Sequence, residues 1–70
     1  MSNLHKLNST SIKHIDYHDD KDTLEIKFAG GAVYHYPGCD KKHYEALKTA
    51  ASAGNYFHNV IKGMQYKRMD

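Results

Sequence analysis

Thr23-Leu24-Glu25-Ile26-Lys27-Phe28 alternates polar and apolar side chains without a break. A period of two over that length commits the segment to a strand with one buried face. Gly30-Gly31 interrupts the pattern, and Ala32-Val33-Tyr34-His35-Tyr36 resumes it, so the two runs form a hairpin. Upstream, Ser11 to His18 has the β-branched and aromatic content of another strand. Ile15 and Tyr17 alternate there, while Ile12 falls out of phase and predicts an irregular start or a bulge. Asp19-Asp20-Lys21-Asp22 is a charged turn.

Downstream, Pro37-Gly38 ends the third strand and Asp40 stands where an N-cap would open a helix over Lys41 to about Ala53. Tyr44, Leu47, Lys48 and Ala51 share one stripe of that helix, with the lysine stem lying over its edge. Gly54 stops it. Asn55 to about Ile61 reads as a second, shorter helix, and Met64 to Asp70 as an extended tail pinned by Tyr66. The expected fold is α+β: a three-stranded antiparallel β-meander followed by two helices packed on one face of the sheet.

The hairpin loop decides what that sheet can do. If Gly30-Gly31 form a two-residue loop, Phe28 pairs with Val33, and Tyr34 and Tyr36 stand on the open face with Glu25 and Lys27. They would then be an aromatic platform able to stack bases. If Ala29-Gly30-Gly31 form a three-residue loop with Gly31 left-handed, Phe28 pairs with Ala32, both tyrosines join the hydrophobic face and His35 points outward. A slip of one residue moves every side chain to the other face. The second register buries far more aromatic area, at about 25 cal/mol per Å², and is the one expected.

A chain of 70 residues makes one small domain in which nearly every large apolar side chain has to serve the core. Residues 1–8 are polar and read as a flexible N-terminal arm, and 9–70 as a single domain. Cys39 is the only cysteine, which removes any intrachain disulfide. With no signal-like opening and no apolar run of membrane length, a reducing cytoplasm is expected.

The net charge of +2 permits a polyanionic partner without demanding one. Six histidines invite a metal reading. His14 and His18, four apart on a strand, lie about 13 Å apart along the backbone, too far for one ion, and Cys39 has no partner at a zinc-like spacing. No metal ligands are assigned. Asp16, Asp19, Asp20 and Asp22 lack the glycine and terminal glutamate of a calcium loop. Ser9, Ser11, Ser52 and Cys39 have no nucleophile signature around them, and Ser52 is better placed as a cap between helices. No catalytic residue and no cofactor is expected. Two basic groups remain: Lys41, Lys42 and His43 in the first helical turn, where the helix dipole focuses anions, and Lys62, Lys67 and Arg68 near the end. These six are the candidate phosphate contacts, and Tyr34 and Tyr36 are a candidate platform if exposed.

From Ser9 to Arg68 the chain carries an ordered set of features: Ser9, Ser11-Ile12, Ile15-x-Tyr17, Leu24-x-Ile26-x-Phe28, a glycine turn, Tyr34-x-Tyr36, Tyr44-x-x-Leu47 and Ser52-x-Gly54-x-Tyr56-Phe57, with Ile61 after it. The set resembles the KTSC family, named for the C-terminal domain of some lysyl-tRNA synthetases and also found as small stand-alone bacterial and phage proteins. His58 before Asn59, and Met64 where an aromatic or proline is usual, depart from that pattern. The resemblance implies RNA binding through its attachment to a synthetase, and brings no catalytic residues. Two expectations follow: a small non-catalytic module that binds RNA or other nucleic acid through phosphate contacts, or a protein-interaction module of phage or prophage type that docks on a larger host protein. No membrane partner is expected, and monomer and homodimer both stay open.

Overall fold

The computed structural model describes residues 4–69. Its backbone forms β1 (His5–Lys6), β2 (Ile12–His18), β3 (Thr23–Phe28), β4 (Val33–Pro37), α1 (Lys41–Thr49), α2 (Ala53–Tyr56), a π-helical turn over Phe57–Ile61, and β5 (Lys67–Arg68). The fold is α+β with an antiparallel sheet and helices on one side, as expected, but the sheet has five strands in the order β1-β2-β3-β4-β5 rather than three. The two extra strands are two-residue edges. His5 and Lys6 pair with Ile15 and His14, so this part of the supposed arm is held to the sheet, and Lys67 and Arg68 pair with His35 and Tyr34. Residues 1–3 of the arm, and Asp70 of the tail, lie outside the described residues.

The hairpin takes the three-residue loop. Gly31 N–H donates to the Phe28 carbonyl and Phe28 N–H to the Ala32 carbonyl, both at 2.9 Å, and Gly31 sits at φ +100°. Ile26 therefore faces Tyr34, Leu24 faces Tyr36, and Glu25 faces His35. The pairing of β2 with β3 shifts between Ile12 and His14, a bulge that returns Ile12 to the buried face.

Ile12, Ile15, Leu24, Ile26 and Tyr36 meet Leu47 and Ile61 from the helical layer in one core. α1 stops at Thr49, earlier than expected, because Ala50 turns extended (φ −65°, ψ 139°) and Ser52 opens α2 by accepting a hydrogen bond from Asn55 N–H at 3.3 Å. Ala51 consequently leaves the buried stripe and is exposed. Asp40 takes the N-cap position without a side-chain capping bond. Lys48 lays its ammonium 5.1 Å from the centre of the Tyr44 ring. Gly54 is packed against Ser11, whose Oγ would lie 3.3 Å from a Cβ added there. Ser9 Oγ accepts from the backbone N–H groups of Ser11 and Ile12. Both serines thus have architectural work to do at the start of β2.

Candidate functional site

The sheet has two differently equipped sides. On the helix side, beyond the core, Tyr36 is buried (1% exposed) while Tyr34 is half-buried. The platform condition is met only in part, since Tyr36 is core, and the tyrosines stand on the covered side as the burial argument required. The pairing of Tyr34 with Arg68, extended by two residues, brings Tyr66 beside Tyr36. Tyr66 stacks on Tyr34 with ring centres 4.9 Å apart and planes 18° apart, and remains 53% exposed. The rings of Phe28, Tyr34, Tyr36, Phe57 and Tyr66, with Ala32 and Lys62, line an open groove of about 440 Å³. Small-molecule sites fall in the range of about 300–1,000 Å³. Residues 64–70 carry no periodicity that would announce this stack; Tyr66 is their one aromatic side chain.

The basic residues do not form one face. Lys41 is turned toward Asp19, 3.4 Å from its carboxylate, and lies 6.0 Å from the Tyr17 ring. His43 Nδ1 is 3.0 Å from the Tyr56 hydroxyl, while Lys42 is exposed. In the second group, Lys62 lines the aromatic groove. Arg68 faces Tyr34 across β4–β5 and Lys67 faces His35, so these two neighbours project to opposite sides of the sheet.

On the open side the structure assembles something the chain order conceals. Glu25, on the central strand, has His35 directly opposite it on β4 and Asp16 opposite it on β2. His14 and His18 lie two residues to either side of Asp16, within diagonal reach of Glu25. His35 Nε2 and His18 Nε2 approach Glu25 Oε1 at 2.9 and 3.1 Å, and His14 Nε2 approaches Oε2 at 3.3 Å. Burial pushes the Glu25 carboxyl upward, but the three imidazole hydrogen bonds outweigh it and hold its pKa below the ordinary value. Spacing along β2 separates the backbones of His14 and His18, but both rings turn onto the one Glu25 carboxylate, which that spacing did not anticipate, and His35 joins them from the next strand. Of the aspartates, Asp19 pairs with Lys41, and Asp22 accepts a hydrogen bond from the Tyr17 hydroxyl at 3.4 Å. Cys39 is buried with its Sγ 3.9 Å from Met64 Sδ. Among the described residues, no helix is long and apolar enough to cross a membrane.

Comparison with known proteins agrees with this architecture. A crystal structure of a KTSC domain protein from Yersinia pestis superposes with a TM-score of 0.89 at 29% identity, over 100% of both chains. An uncharacterised protein from Stutzerimonas stutzeri is 33% identical over 61 residues, covering 87% of this chain and 86% of that one. A lysine–tRNA ligase from Trichormus variabilis is 40% identical over 52 residues, 74% of this chain but only 9% of the ligase. Another, from Nostoc, is 39% identical over 56 residues, with 10% of its length matched. The KTSC domain model itself matches residues 8–66. With the sheet, the helical layer and the ordered motifs all accounted for, the chain belongs to the KTSC domain family.

Proposed function

We propose that the protein is a non-catalytic nucleic-acid-binding module that takes single-stranded RNA into the aromatic groove between β4, β5 and the π-helical turn. The observation that carries this reading is Tyr66, more than half exposed, stacked on Tyr34 and beside Lys62. A base that inserts against these rings gains stacking without sequence readout, while the lysine meets the adjoining phosphate. The mild net charge of +2 suits weak, salt-sensitive binding. The ligases that share this segment in about a tenth of their length carry a tRNA substrate in their name, which favours RNA as the polymer. The single buried, unpaired thiol is in keeping with a reducing, cytoplasmic setting.

Fluorescence anisotropy of a short labelled single-stranded RNA tests the proposal. Binding at low salt should weaken about 5- to 150-fold in Tyr66→Ala, the range set by about 1–3 kcal/mol for one stacked base. Binding that ignores Tyr66→Ala, or no binding at low salt, rejects it. Capture of one stoichiometric protein that depends on Tyr66 would put a peptide in the groove instead.

A further inference from the structure

The open face of the sheet is a separate matter. We propose that His18, Glu25 and His35 form a site for a first-row divalent transition metal ion, with Zn²⁺ the foremost candidate, and that His14 positions its carboxylate ligand.

One ligand atom from each of His18, Glu25 and His35 lies within 4.8 Å of the other two. In a tetrahedral zinc site with bonds of about 2.0–2.2 Å, ligand atoms stand about 3.3–3.5 Å apart. The two imidazole–carboxylate distances, 3.1 and 2.9 Å, are already at that scale. The gap to be closed is the one between the two imidazoles, whose ring centres are 5.4 Å apart. Both rings are partly exposed, at 28% and 22%, so small χ rotations suffice. The backbone needs no rearrangement, because His35 is paired directly with Glu25 and His18 reaches it diagonally from β2.

Without metal, His18 and His35 direct Nε2 at the same oxygen, so each hydrogen bond requires an Nε2 proton. An ion at that convergence takes the place of those protons. Each imidazole then coordinates as a neutral ligand, with its proton moved to Nδ1 or released to solvent. His14 approaches the other carboxylate oxygen, Oε2, at 3.3 Å, and so fixes the plane in which Oε1 is offered. Outer partners of this kind commonly govern affinity by tenfold or more. Water completes the coordination.

Two imidazoles and one carboxylate select zinc, nickel, copper or cobalt over magnesium and calcium, which demand oxygen-rich shells. The surrounding charges set the strength. Asp16 faces Glu25 and adds negative potential, while Lys27 and Lys6 face His14 and Lys67 faces His35. These lysines oppose a dication and hold the expected affinity in the micromolar range.

The test is calorimetric titration of the untagged 70-residue chain with ZnCl₂, paired with Co²⁺ absorption, whose intense visible bands report tetrahedral coordination. One equivalent should bind. His18→Ala and His35→Ala should each weaken it at least tenfold and abolish the tetrahedral cobalt spectrum. Glu25→Gln, which keeps a hydrogen-bonding side chain among the imidazoles, should also weaken it at least tenfold, and His14→Ala less than any of these. Circular dichroism establishes that each variant is folded. Should a variant fail to fold, the wild-type chain still decides through NMR, where Zn²⁺ must move the imidazole resonances of His18 and His35 before those of His5, His43 and His58. No Zn²⁺ binding, or binding unchanged when both His18 and His35 are replaced, overturns the proposal.

Discussion

Gly31 and Gly30 stand next to each other in the β3–β4 loop, and replacing each with alanine should have opposite consequences. A Cβ at either position meets nothing within 4 Å, so packing does not distinguish them. The backbone does. Gly31 has φ +100°, whereas Gly30 is not among the positive-φ residues. Forcing an L-residue into the left-handed region costs about 1–2 kcal/mol, so Gly31→Ala should destabilise by about that much. Gly30→Ala restricts the unfolded chain at a compatible position and should be neutral or stabilise by up to about 1 kcal/mol. A domain of this size has a total stability of about 4–10 kcal/mol, and each kcal/mol moves Tm by about 4–8 °C. Gly31→Ala should therefore lower Tm by about 4–16 °C in a calorimetric scan, while Gly30→Ala leaves it level or slightly raised. A two-residue loop would instead place Gly30 at positive φ. A large loss in Gly30→Ala would refute the register, and with it the placement of Tyr34 and Tyr36 on the helix side.

Other consequences are as direct. Leu47 is fully buried between α1 and the sheet, so Leu47→Ala should cost about 2–5 kcal/mol in urea unfolding, and a loss under about 1 kcal/mol would mean that the helical layer is not packed as described. Because the Glu25 pKa is lowered in the folded state, its contribution is complete above the ordinary carboxylate range and is lost as pH falls below about 4. The stability difference between wild type and Glu25→Gln should shrink in that window, and a difference that grows there would reverse the sign of the argument. Burial, followed by the charge of Asp40, raises the Cys39 thiol pKa, so alkylation at neutral pH should run far slower than for free cysteine; labelling at the free rate would place Cys39 at the surface.

How much of this was legible in the residues depended on how local the physics was. The period of two in Leu24, Ile26 and Phe28 and the burial value of two tyrosines were enough to choose the hairpin register. The out-of-phase Ile12 announced its bulge in the same way. β1 and β5 were not legible, because two residues such as His5-Lys6 or Lys67-Arg68 have no period of their own and become strands only by completing an existing edge. The end of α1 is not legible locally, because Ala50 and Ala51 are good helix formers, while Ser52 starts a new helix and the chain has to turn before it. The histidine cluster needed the pairing of three strands at once, and spacing along one strand finds only His14 and His18. The basic residues show the converse: Lys67 and Arg68 are neighbours in the chain and face opposite sides of the sheet.

On the proposed function, single-stranded RNA enters the groove around Tyr34 and Tyr66. An NMR titration of isotope-labelled protein with a short mixed RNA, at low and at high salt, tests it most directly. Shifts should centre on Tyr34, Phe57, Lys62, Tyr66 and Arg68 and fade as salt rises. A spectrum that does not move at low salt, or shifts confined to Lys41, Lys42 and His43, would contradict it.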